Sequence, residues 1–165
     1  MNLYIVRHGI AEPRDEARPD QERALTPKGR DRTRRAALGL AALGCRPDRV
    51  GSSPLRRALE TARIVSEVLC PEAPLDLCSF LKPRAAASDI AAWLQDVDGD
   101  DVLIVGHQPD MTDITSGLLS GKTGLAIHFK KAAACCLSFG DVISPGAAQL
   151  EWLLQPRQLR TLAPE

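Results

Sequence analysis

No apolar run in the chain approaches the ~18 residues that a membrane span needs, and no basic start, apolar stretch and small-residue cleavage site form a signal peptide. The cytoplasm is therefore the expected compartment, with no membrane partner. An excess of one charge is also missing, since 21 Lys and Arg balance 21 Asp and Glu. That balance argues against a general nucleic-acid binder, so any positive site must be local. The five cysteines (Cys45, Cys70, Cys78, Cys135 and Cys136) are odd in number and include no C-x-x-C pair. Neither a disulfide framework nor a zinc knuckle fits, and buried thiols are expected, with no metal and no cofactor. Aromatic residues make up only 4% of the chain. What remains is ordinary: 165 residues with 44% hydrophobic and 25% charged side chains suit a single domain over 1–165 with a real core.

Hydrophobic patterning alternates strand and helix. The apolar run 3–6 ends in Arg7-His8-Gly9 and reads as a buried strand entering a turn. Residues 13–23 are almost wholly charged, carry two prolines and should form an exposed loop able to fold over a nearby pocket. Thr26-Pro27 is a cap followed by proline at the first helical position, and Ala36, Ala37, Leu40 and Leu43 continue one face until Gly44. Val50-Gly51-Ser52-Ser53 looks like a second strand, with Ser53-Pro54 starting a helix whose inner face is Leu55, Leu59, Ala62, Val65 and Leu69. A strand at 75–78, a helix around 86–94 and a clean strand at 102–105 follow, the last ending in Gly106-His107. Gln108-Pro109 starts a helix that Ser120-Gly121 closes, and two strand-like segments, 133–139 and 148–154, flank Ser144-Pro145-Gly146. This order predicts an α/β fold of three layers, α/β/α, with a mostly parallel sheet and a late antiparallel strand.

Ligands bind such sheets at the carboxyl ends of the strands. Three strand ends deliver Arg7-His8-Gly9, then Ser53 with Arg56 and Arg57, then Gly106-His107. Two imidazoles and one or two guanidiniums, with no Cys-His spacing for metal, suit a phosphoryl group, whose oxygens arginine matches in bidentate fashion. Neutral imidazole can attack phosphorus, and nearby cations disfavour its protonation while neutralising the incoming phosphate. Gly9, Ser53, Arg56 and Gln108 are expected to border the substrate, Gly9 by letting its backbone approach closely. The residues by themselves do not choose between His8 and His107 as nucleophile. His128, beside Lys130 and Lys131, reads as an exposed loop position, and Arg30, Arg32, Arg34 and Arg35 as a solvated helix face with the charge to guide an acidic partner.

Arg7-His8-Gly9 after an N-terminal strand, Ser53-Pro54-Leu55-Arg56-Arg57-Ala58-Leu59-Glu60-Thr61 and Gly106-His107-Gln108-Pro109 resemble the histidine phosphatase superfamily, also called phosphoglycerate mutase-like. Leu25-Thr26-Pro27-Lys28-Gly29 and Trp152-Leu153-Leu154-Gln155-Pro156 are most similar to its small phosphohistidine phosphatases of the SixA type. The resemblance implies that His8 is the phosphorylated nucleophile and that Arg7, Arg57 and His107 hold the phosphoryl oxygens. Arg57, which precedes Ala58, is the arginine that matches the motif.

Other branches of that superfamily carry a carboxylic acid that protonates a leaving alkoxide. The corresponding stretches here read Ser79-Phe80-Leu81-Lys82-Pro83 and His107-Gln108-Pro109-Asp110. Phe80 donates no proton, and Asp110 has an equally good structural reason to stand in a helix's first turn. Without an acid, expulsion of imidazole from an N–P bond is favoured over expulsion of alkoxide. The expectation is a cytoplasmic, metal-independent phosphatase acting on a protein phosphohistidine. The alternatives are a small-molecule phosphomonoester or polyphosphate phosphatase, and a non-catalytic phosphohistidine-binding module.

Overall fold

The apolar run of the first strand is buried because it lies inside a sheet with neighbours on both sides. In a computed structural model describing residues 1–164, β1 (Asn2–Arg7), β2 (Arg49–Ser52), β3 (Leu75–Leu77), β4 (Asp101–Gly106), β5 (Ala134–Ser138) and β6 (Gln149–Leu154) form one sheet of order β3-β2-β4-β1-β5-β6. The first four of that order run parallel, and β5 pairs antiparallel with both β1 and β6. Side-chain alternation then sends Leu3, Ile5, Val102 and Ile104 to one face, with Tyr4, Val6, Leu103 and Val105 to the other. α3 (Ala87–Asp96) and α4 (Asp110–Ser120) cover the first face through Ile90, Leu94, Ile114 and Leu118. α1 (Pro27–Ala42), α2 (Arg56–Leu69) and α5 (Pro156–Leu162) cover the second through Leu40, Ala62, Val65 and Leu159. The result is the three-layer α/β/α architecture expected from the sequence, and Cys135 and Cys136 face opposite cores, as successive strand residues must. No described helix is long and apolar enough to cross a membrane.

Local chemistry explains most boundaries. Thr26 caps α1 by accepting the Gly29 N–H at 2.9 Å, and Gly44 takes the left-handed turn after it at φ 81°. Leu43, expected on the inner face, is instead 41% exposed, because it caps the helix beyond the last turn that packs. α2 begins at Arg56 and not at the Ser53-Pro54 start; the Ser53 hydroxyl is engaged elsewhere, as described below. α5 was not expected. Pro156 at its start and reciprocal bonds between Gln155 and Gln158 begin it directly after β6. It packs so closely on α1 that a Cβ on Gly39 would lie 1.9 Å from the Leu159 carbonyl oxygen. The charged loop carries a 3-10 turn at Asp20–Glu22, and Ala11 pairs with Leu25 across its base.

Candidate active site

The order β2-β4-β1 sets three parallel strand ends side by side, with Arg7 in register with Gly106 and Ser52 with Val105. Residues leaving those ends therefore meet at one edge. The His8 and His107 rings lie 5.3 Å apart between centroids, and a cavity of about 420 Å³ opens beside them. Arg7, His8, Arg57, His107 and Gln108 line it. So do Arg14, Asp20 and Arg23 from the charged loop, which folds over the cavity, together with Lys131.

His8 is 7% exposed, and its Nδ1 lies 2.8 Å from the Gly9 carbonyl oxygen. A carbonyl only accepts, so Nδ1 carries the ring proton and Nε2 keeps its lone pair. Burial pushes the His8 pKa down to about 3, helped by His107, Arg57 and Arg7 against the pull of the Gly9 carbonyl. The ring is thus neutral at neutral pH, the state in which an imidazole is a nucleophile.

His107 is neutral for a related reason: burial first, then Arg57, lower its pKa to about 4. Its Nε2 lies 2.7 Å from Ser53 Oγ, while the Leu55 N–H points at that same oxygen from 3.4 Å. Ser53 Oγ can accept from the Leu55 N–H and still donate its own proton to Nε2, the arrangement in which the ring proton of His107 stands on Nδ1. Nδ1 is buried without a partner among the described residues, as are Nε of Arg7 and Nε of Arg57. Buried polar groups are rarely left so, and all three belong to residues that line the one cavity.

The rest of each guanidinium is fixed by the protein. Arg7 Nη1 donates to the Phe129 carbonyl at 2.6 Å, and Arg57 Nη1 donates to that of Asp20 at 2.9 Å. Asp20 Oδ2 stands 3.1 Å from Arg57 Nη2, while its Oδ1 meets Arg23 at 2.9 Å and Arg14 at 3.2 Å. Burial favours the protonated form of Asp20, but Arg57 and Arg23 outweigh it and hold the carboxyl below its usual range. Asp20 is therefore an anion and has no proton to give. Burial also lowers the pKa of Arg7 and of Arg57, the mark of cations taken partly out of water.

Three expectations need correction. Arg56 does not line the cavity; its exposed side chain pairs with Glu60 one turn along α2 at 2.9 Å. Gly9 does not border the ligand space either, and its missing Cβ serves packing, since that atom would lie 2.3 Å from Thr33 Oγ1. Ser53 stands behind His107 and outside the cavity lining. Asp110 is buried, its pKa raised by burial, but Oδ2 accepts the Arg84 N–H at 2.9 Å and the residue does not line the cavity. Phe80 packs on Trp93, their centroids 5.7 Å apart. His128 is exposed, as expected. Sequence reasoning missed Asp20, Arg14, Arg23 and Lys131; the density of charge at 13–23 was the available signal for the first three. Among the described residues no group of three or more His, Cys, Asp and Glu side chains is arranged to hold a metal ion.

Known proteins resemble the chain in sequence and in fold. The family model of the histidine phosphatase superfamily (branch 1) matches residues 3–82. An uncharacterized protein of Picosynechococcus sp. is 35% identical over 143 residues, 85% of this chain and 86% of that one. Among solved structures, the protein histidine phosphatase SixA complexed with tungstate superposes with a TM-score of 0.85 at 26% identity, covering 96% of this chain and 99% of that one. A phosphoserine phosphatase mutant from Entamoeba histolytica shares the fold, with a TM-score of 0.71 at 16% identity over 96% of this chain and 98% of its own.

Proposed function

Since the chain belongs to the histidine phosphatase superfamily (branch 1), a superfamily of phosphatases, we propose that it removes the phosphoryl group from a phosphohistidine on a protein, without a metal, through a phosphorylated His8. The observation that carries the reading is that Arg7, Arg57 and His107, each with an unpartnered buried nitrogen, line one cavity with His8, whose Nε2 is unprotonated.

In the first step His8 Nε2 attacks phosphorus from the side opposite the substrate nitrogen. The N–P bond of the substrate breaks as the N–P bond to His8 forms. The departing ring, protonated on its other nitrogen, leaves as neutral imidazole and takes no proton from the protein. Arg7, Arg57 and His107 donate to the three non-bridging oxygens, whose charge they stabilise most in the transition state. In the second step water attacks phospho-His8, the new N–P bond breaks, inorganic phosphate forms and the water proton leaves to solvent. His8 returns to its starting state.

The groups facing the cavity support an N–P substrate. Asp20 is ionised, Asp110 and Phe80 lie outside, and His107 is neutral, so no carboxylic acid stands ready for an alkoxide. A small phosphomonoester fits a cavity of about 420 Å³, but its alkoxide would leave without that help. The cytoplasm and a role in signalling follow from the same reading.

The test is phosphate release from a phosphohistidine phosphocarrier domain, measured beside a panel of phosphomonoesters. Wild type is expected to prefer the carrier by kcat/KM, and His8→Ala to release nothing above background. A wild-type preference for a sugar phosphate or phosphoserine would replace the proposed substrate. Binding of the phosphocarrier with no release would leave a recognition module in place of an enzyme.

A further inference from the structure

Next to the catalytic cavity, and sharing Arg7 and Lys131 with it, lies a groove of about 400 Å³. Four pieces of chain build it: the end of β1 with the turn after it, the first turns of α1, the start of α5, and residues 128–132. Gln155 ties two of them together, its Oε1 accepting the Lys130 N–H at 3.1 Å and its Nε2 donating to the His128 carbonyl at 2.6 Å. Arg32, Lys130, Lys131, Arg157 and Arg160 join Arg7 along the groove, six of the chain's 21 Lys and Arg, and no carboxylate among the described residues lines it. The adjoining depression extends the band to Arg35, with Asp31 its one acidic neighbour.

In a chain of zero formal charge such a concentration is not a compositional accident to be averaged away. On the same helix Arg30 pairs with Glu60 and Arg34 with Glu67, yet no ion pair engages Arg32, Arg35, Lys130, Lys131, Arg157 or Arg160 among the described residues. Like charges left together repel, and the pKa of Arg160 is lowered by burial and then by Arg32 and Arg35, with only Asp31 opposing. Thr33, 2% exposed in the groove wall, also has a hydroxyl without a partner. Lys130, Lys131 and Arg157 are exposed and Arg32 and Arg160 half-buried, a disposition that attracts an approaching surface and does not close on a small anion.

We propose that this groove docks an acidic face of the substrate protein, carboxylates bordering the phosphohistidine, so that the phosphorylated ring enters the adjoining cavity. The inference rests on the protein-substrate reading above. Docking is separate from chemistry: the groove sets encounter and KM, the cavity sets turnover.

The test compares wild type with Lys130→Glu/Arg157→Glu, two exposed positions, on a phosphohistidine carrier domain with acidic residues around its histidine and on the free amino acid 3-phosphohistidine. On the carrier, kcat/KM is expected to fall about tenfold or more at low ionic strength, chiefly through KM, and the difference to shrink at about 0.5 M salt. On the free amino acid the two enzymes should agree within about twofold, the usual scale for a charge outside the reacting site. Equal rates on the carrier, or equal losses on both substrates, would overturn docking while leaving the phosphatase reading intact. A loss on inorganic tripolyphosphate with an undiminished rate on the carrier would overturn it in favour of a small polyanion. Wild type active on the amino acid and inert on every carrier would sink both readings.

Discussion

The catalytic cavity and the groove beside it share two cationic side chains but follow opposite electrostatic plans. In the cavity Arg57, Arg23 and Arg14 converge on Asp20 and two imidazoles are held neutral by burial, so that only the shared Arg7 and Lys131 stand without a carboxylate among the described residues. In the groove the cations stand without carboxylate partners among the described residues, half of them toward solvent. Preorganised donors around a neutral nucleophile serve bond making and breaking, whereas an uncompensated, exposed field serves approach. The difference teaches that charge density alone does not mark a reaction site; pairing and desolvation do.

Variants can break or sharpen that contrast. Arg57→Lys keeps the charge but loses the planar fork and the bond to the Asp20 carbonyl. It should cut kcat by about two to three orders of magnitude, with little change in thermal midpoint. An active lysine variant would place Arg57 with the groove arginines, as a charge and no more. Ser53→Ala removes the partner of His107 Nε2 and frees the ring to turn or change tautomer. The expected loss is about tenfold in kcat with KM steady, and Ser53→Thr, which restores the hydroxyl, should recover part of it.

Titration separates the regions by burial. In the unfolded chain both histidines take protons near pH 6.5, while in the folded chain His107 does so only near 4 and His8 near 3. Between about 6.5 and 4 the unfolded state therefore binds more protons, so stability falls as pH falls through that window. Denaturant midpoints for wild type and His8→Asn should show it, the variant having the shallower slope by up to about 1.4 kcal/mol per pH unit. Imidazole NMR resonances of His8 and His107 should stay fixed from pH 8 to 5. The smallest effect is reserved for Asp110→Asn, whose amide oxygen can still accept the Arg84 N–H. Turnover of phosphohistidine within about threefold of wild type is expected, and a larger fall would make Asp110 a participant in the chemistry.

Much of this was legible in the sequence where one local rule decides the outcome. The buried run before Arg7-His8-Gly9, the Thr26-Pro27 cap and the closing Gly121 act through neighbouring residues, so periodicity and capping expose them. The meeting of the three strand ends was also legible, because parallel strands fix which edge their C-termini share. What stayed hidden depends on partners distant in the chain. Ser53 reads as a cap until His107, 54 residues later, engages its hydroxyl. Arg56 and Arg57 look alike to local patterning; the family motif singles out Arg57, but its partner Asp20 shows only when the rotation of α2 sends Arg56 to Glu60 and Arg57 to the loop. Asp20 sits in a charged loop whose side chains have no period to declare their direction. α5 has only seven residues, too few for a helical period to stand out directly after a strand.

The most direct measurement is a rapid quench of wild-type protein with a radiolabelled phosphohistidine carrier, followed by peptide mapping of the transiently labelled enzyme. Acid-labile, alkali-stable label on the peptide containing His8, absent from His8→Ala and retained in Ser53→Ala, is the predicted result. Phosphate release at the wild-type rate with no label on His8, or label on His107, would contradict the account.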